Sequence, residues 1–345
     1  MVFSVIGKKF FCGCMIIGGV LTACVSEAPS AGNEEPVVTP PSDLYRMGFN
    51  ALEGNYSDSR ASVDEDSLNS GQNNVFRWDA GDRIMIWTGG NAAHLTPCLF
   101  TTQDGGLTSA RFEYEGEKVD SYTYFGYYPY AEGLQYNEIN VTVPTDGAIL
   151  QAEKNDSRHL GAYRPMYTSV VTRNENSPEL TGLTFRHLTG LLYFRIRNLS
   201  GKDSRVESVT LRCSEKVFSN HAVLKFIPES PEQEAQFNVS GASLSESVSL
   251  SLGSDKQGVV LSNGEIMQAF LPLLPVENLA GKKLTLILKA DGHDHVSLEL
   301  DGDAVKAFEK ATYYRFGVTV THDGIEIEPI ISDWEPGDDI DIPVE

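Results

Sequence analysis

Leu191-Leu192-Tyr193-Phe194-Arg195-Ile196-Arg197 alternates in its second half, so that Leu192, Phe194 and Ile196 share one face. A period of two with aromatic and branched side chains reads as a strand. A helix would space its apolar residues three and four apart. Working outward, the same pattern recurs at Arg83–Trp87 after the turn residues Asp79-Ala80-Gly81-Asp82, and at Ser121–Tyr130. It returns at Val206–Leu211, Leu284–Leu288, Val296–Leu300, Tyr313–Val320 and Ile325–Ile331. Gly, Asn, Asp and Pro bound these short runs, and no long helical periodicity interrupts them. Such spacing predicts an all-β chain of antiparallel β-sandwiches.

The polar stretch Arg173-Asn174-Glu175-Asn176-Ser177-Pro178 is the best internal boundary, predicting one sandwich over 44–178 and a second over 179–345. Residues 25–43 are polar and Pro-rich, the composition of an extended, solvated linker.

The N-terminus has a different character. Lys8 and Lys9 precede an apolar run from Phe10 to Val20, and Leu21-Thr22-Ala23-Cys24 follows. A basic region, an apolar core and small residues before a cut are the order of an export signal. The run, roughly 14 residues, falls short of the roughly 20 that a bilayer-spanning helix needs. The pattern resembles a lipoprotein signal peptide, with residues 1–23 removed and Cys24 carrying the lipid. The mature chain is then held at a membrane by one end.

Composition narrows the partners. A net charge of −21 argues against nucleic acid and anionic membrane surfaces. Fourteen Tyr and 16 Phe residues supply enough apolar surface for a folded body. Cys98 and Cys213, the cysteines left beyond Cys24, can pair in an oxidising compartment or remain as buried thiols.

Catalytic signatures are missing: no Gly-x-Ser-x-Gly, His-Glu-x-x-His, phosphate loop or paired-cysteine metal site is present, so no enzyme and no cofactor is expected. Asp291-Gly292-His293-Asp294-His295 has metal-ligand residue types, but Asp-Gly is hairpin-turn chemistry and predicts solvated turn residues. His187 reads as a packed, hydrogen-bonded histidine. Tyr122, Tyr124, Tyr128 and Tyr130 alternate to one side and suit either sugar stacking or a sandwich face.

Four segments in order resemble the fimbrillin-like proteins of Bacteroidales. Phe76-Arg77-Trp78-Asp79-Ala80-Gly81-Asp82-Arg83-Ile84 is similar to their W-x-x-G-D-x-I segment, and Tyr124-Phe125-Gly126-Tyr127-Tyr128-Pro129-Tyr130 to their aromatic strand. Leu183 to Phe194 resembles L-x-F-x-H-x-x-A-x-L-x-F, with Gly190 where alanine is usual, and Tyr313 to Trp334 resembles the closing strands. The resemblance implies two transthyretin-like β-sandwich domains and a type V fimbrial subunit. Such subunits travel as outer-membrane lipoproteins, and many are cut after an arginine behind the first strand. A neighbour's donated strand then fills the groove. On that reading Leu44–Phe49 is the first strand, Arg60-Ala61 the expected cleavage point and Arg46 its alternative. Ile340, Ile342 and Val344, alternating with acidic residues, form a candidate donor strand or a loose tail. Its shortness points to an accessory, tip or anchor position rather than the main stalk. The rival expectation is a non-polymerising surface lipoprotein that binds a glycan or a host protein.

Overall fold

The structure, a computed structural model, describes residues 45–53, 62–63, 76–107, 109–173, 180, 182–296, 300–301, 305–321 and 324–328. The described residues are almost wholly β, as the alternation predicts, with a short α-helix at Leu160–Tyr163 and a 3-10 turn at Ser254–Lys256. Among the described residues no helix is long and apolar enough to cross a membrane.

The first sheet has eight strands. Across it lie Met166–Tyr167, Leu183–His187, Tyr45–Glu53, Ala110–Gly116, His94–Thr102, Arg83–Asn91, Thr123–Tyr128 and Val171–Thr172. Met166 and Tyr167 also pair with Tyr128 and Tyr127, which closes seven of the eight strands into a ring. Neighbours are antiparallel except the first strand, Tyr45–Glu53, which runs parallel to Leu183–His187. At the end of Arg83–Asn91 the ladder slips by a bulge, and Gly89 sits where a Cβ would lie 1.7 Å from the His94 carbonyl oxygen. Only glycine fits so close an approach.

Inside the ring, Trp78 is fully buried and meets three rings edge-on: Phe112 at 4.9 Å, Tyr128 at 5.5 Å and Phe185 at 5.6 Å. Gly81, at φ +92°, turns the chain behind it, and the Asp82 carboxylate accepts hydrogen bonds from the Asp79 amide at 2.8 Å and the Tyr128 hydroxyl at 3.2 Å. Three of the four family-like segments therefore converge on one indole.

Two strands of the ring are buried on both faces. Ile84, Ile86, Tyr124 and Tyr128 point into the ring, while Met85, Trp87, Phe125 and Tyr127 join a second core outside it. There Phe226 packs on Phe125 at 4.5 Å and on Trp87 at 5.9 Å. The second core lies among the remaining sheets. Gly190–Asn198 runs between Ile266–Leu273 and Tyr313–Thr321, with Gly324–Glu328 beyond. Ser204–Cys213 lies between Lys283–Ala290 and Ser247–Leu252, and His221–Lys225 between Gln236–Val239 and Ile139–Thr142. Leu192, Phe194 and Ile196 are all fully buried in this core.

The expected division at 178 is crossed in both directions. Leu183–His187, beyond it, belongs to the first sheet. Ile139–Thr142 and Ile149–Gln151, before it, pair with His221–Lys225 and Ser247–Leu252. The described residues from Tyr45 onward fall in one compact unit. Pairing partners are chosen by tertiary packing, which the local composition of the chain does not show.

Replacing Trp78 by Ala should lower unfolding free energy by about 3–5 kcal/mol, the range for deleting a large buried aromatic. Equilibrium urea denaturation measures this directly.

Candidate functional site

The first strand lies between two strands of the ring. Its alternation sends Met47, Phe49 and Ala51 into the ring core and leaves Arg46 and Asn50 exposed. Seven residues, Tyr45 to Ala51, pair with Ala110–Gly116, and Ala51 to Glu53 pair with Leu183–Phe185. Phe49 lies 5.2 Å from Phe100 and 6.1 Å from Phe112, ring to ring. Burying Met47 and Phe49 contributes roughly 1.5–3 kcal/mol each. Without the strand, two sheet edges and an apolar trough would open together. Any strand with apolar residues at alternate positions then suits the vacancy.

The outer face of the strand is polar. Arg46 Nη2 lies 3.6 Å from Glu115 Oε2 with both side chains largely exposed, a pair that adds little to stability. Arg111 lies across Gly48, where a Cβ would come within 2.6 Å of its Nη2, and its Nε donates to Glu113 at 3.0 Å. Surface cavities of about 380 and 560 Å³ flank the strand, both lined by Arg46, Met47, Gly48 and Arg111.

Of the residues singled out from sequence, Arg46 lies on this strand. Cys24, Arg60, Ala61, Ile340, Ile342 and Val344 lie outside the described residues. The tyrosine set does not form a ligand face. Tyr124 and Tyr128 are buried in the ring core, and Tyr130 is half-buried with the Arg83 guanidinium 5.1 Å from its ring. Tyr122 is half-buried and ties its backbone to Gly89. Their alternation is that of an inner sheet face. Cys98 and Cys213 are both free and buried, one in each core, and burial pushes the Cys98 thiol up to about 11.

Asp291 and Gly292, at φ +50° and +78°, make a two-residue hairpin turn. His293 and His295 follow it on the outer strand. No group of three His, Cys, Asp or Glu side chains among the described residues could hold a metal ion. His187, read as a packed histidine, is buried.

A cleft of about 910 Å³, unforeseen from sequence, lies where the ring meets the second core. At its wall the Tyr167 hydroxyl donates to the Glu234 carboxylate, and Lys310 Nζ lies 2.8 Å from Glu234 Oε1 and 3.2 Å from Tyr167 Oη. The three residues are far apart in the chain, and no local motif announces them. Hydrogen bonds from Lys310 and then Tyr167 hold the Glu234 carboxyl below its ordinary value, while burial raises Tyr167.

This geometry has two measurable outcomes. A thiol reagent should leave Cys98 and Cys213 unmodified in the folded chain and label both after unfolding; rapid labelling of either in the native state would contradict their burial. Because the Glu234 carboxyl is depressed, its contribution to stability is present above the unfolded value of about 4.3 and fades as pH falls through the lower folded value. Glu234→Gln should therefore flatten the acid limb of a stability–pH curve measured by urea unfolding.

Comparison with known proteins gives one family. The model of the fimbrillin-like family matches residues 59–334. A candidate fimbrium subunit of Bacteroides uniformis, Fim1C, is 23% identical over 271 residues, covering 75% of this chain and 80% of that protein. The crystal structure of a candidate cell adhesion protein from Bacteroides uniformis aligns with a TM-score of 0.50 at 17% identity. That alignment covers 84% of this chain and 98% of the other, a likeness of fold.

Proposed function

The chain belongs to the fimbrillin-like family, and we propose that it is a structural or adhesive subunit of a type V fimbria in an accessory, tip or anchor position. Fimbrillin-like proteins are fimbrial and adhesive components, not enzymes. In this reading the chain is exported behind residues 1–23, lipidated at Cys24 and delivered to the outer membrane surface. Other fimbrial subunits join it by strand addition.

The observation that carries the proposal is the seating of Tyr45–Glu53 between two strands, with Met47, Phe49 and Ala51 buried beneath. A cut after Arg60, before Ala61, lies beyond the strand's end at Glu53 and would free all of it. A cut after Arg46 would leave Met47 to Glu53 in place, so Arg60 is the better site. Main-chain groups of the two opened edges would supply affinity, and the vacated apolar positions would set the register. Ile340, Ile342 and Val344 have the same spacing as Met47, Phe49 and Ala51, which supports the C-terminus as a donor to a neighbour. Division into two transthyretin-like sandwich domains is retained as part of this reading, with strands exchanged across the 178 boundary. The separate core inside the ring, built from residues between Met47 and Phe185, supports it.

Limited digestion with a trypsin-like protease tests the proposal. Discrete cleavage near Arg60, followed by a ladder of oligomers in size-exclusion chromatography, is expected. A chain that stays monomeric after that cut, and is retained on a glycan array, would overturn it. Mass spectrometry of the N-terminus from cells then separates the roles: an acylated Cys24 identifies an uncut anchor, and Ala61 a processed subunit.

A further inference from the structure

Ile266–Leu273 is an end strand of its sheet, paired on one side with Gly190–Asn198. Seven of its eight residues are nonetheless buried. In an antiparallel pair alternate residues turn both backbone groups to the same side, so an end strand presents N–H and C=O groups to whatever covers it. Here side chains cover them. The Gln151 carboxamide donates from Nε2 to the Gln268 carbonyl at 2.7 Å and accepts from the Phe270 amide at 3.0 Å. The Gln268 amide donates to Asn155 Oδ1 at 2.7 Å. His159 Nε2 lies 2.8 Å from the Phe270 carbonyl, which can only accept.

All four outward groups of Gln268 and Phe270 are thus closed by three side chains from one short segment. The Gln151 carboxamide takes the carbonyl of one residue and the amide two residues on, which is what the N–H and C=O of one residue of a neighbouring parallel strand would take. Gln151 is itself fully buried, with its backbone fixed in the ladder to Leu252. An ion pair between Lys154 and Glu265 ties the same segment to the start of the strand. Burial also lowers the His159 imidazole, favouring the neutral ring whose Nε2–H makes this bond.

We propose that residues 151–159 are an edge guard, which keeps Ile266–Leu273 from adding the same strand of a second copy of this chain. The second copy is the fitting occupant because the closed set is self-complementary. A two-fold axis at Ala269 would place Gln268 of each copy opposite Phe270 of the other, exchanging the same four groups. This inference stands on the Ile266–Leu273 edge alone and does not depend on how the first strand is used.

Hydrogen exchange and light scattering on the full chain test it. In the wild type the Gln268 and Phe270 amides should be as protected as core amides, and the chain should stay monomeric. Gln151→Met, similar in length but unable to bond, should speed exchange at Phe270 at least tenfold and give a dimer that grows with concentration. Protection at Gln268 and Phe270 should return as the dimer forms. Asn155→Ala, which removes one acceptor, applies the same test at Gln268 if Gln151→Met does not fold. Fast exchange in the wild type, a variant that exchanges faster yet stays monomeric, or a dimer in which protection does not return would each overturn the proposal.

Discussion

A sheet edge carries a row of backbone donors and acceptors that must find partners, and every large feature of this chain answers that constraint. The first sheet answers by closing on itself through Met166 and Tyr167. The Ile266–Leu273 edge answers with side-chain amides and an imidazole. The first strand is itself an answer, filling the gap between Ala110–Gly116 and Leu183–His187. Of the three, it alone is a single segment seated between two strands distant from it in the chain.

Double-sided burial ties the parts together. Met85, Trp87, Phe125 and Tyr127 belong to the same strands as Ile84, Ile86, Tyr124 and Tyr128 yet serve a different core. A change on the outer face of Arg83–Asn91 is therefore felt inside the ring, because one backbone carries both sets. The Tyr167, Glu234 and Lys310 contact adds a polar tie at the same junction, joining the ring to two later segments.

Strand identity was legible in the sequence wherever one face is apolar and the other polar, as at Leu192, Phe194 and Ile196. The W-x-x-G-D-x-I segment was legible too, and its glycine and aspartate prove to be the turn and the hydrogen-bond acceptor behind Trp78. His94–Thr102 was missed because Pro97 reads as a breaker. It is tolerated in the part of the strand that pairs on one side only, since contact with Ala110–Gly116 is confined to Thr101 and Thr102. Ser247–Leu252 was missed because alternate serines have the composition of a loop. Tyr124 and Tyr128 left two readings open, because a row of tyrosines has the same spacing whether it faces water or a core; both prove to be buried. For the candidate site, the family resemblance implied a first strand at Leu44–Phe49, but nothing local named its two flanking partners. Those are chosen by the tertiary fold, as are Gln151, Asn155 and His159 against Ile266–Leu273.

The parallel pairing of Ala51 with Leu183 also fixes a sequence of events. The ribosome makes the first strand early, but Ala110–Gly116 comes later and Leu183–His187 much later still. Until residue 187 exists there is no two-sided seat, and closing so long a loop is entropically slow. Tyr45–Glu53 is thus made before both of its neighbours and gains the second only once Leu183–His187 exists. During that interval at least one of its edges is unpaired, so a means of holding the chain apart from its neighbours would protect its own first strand more than any other.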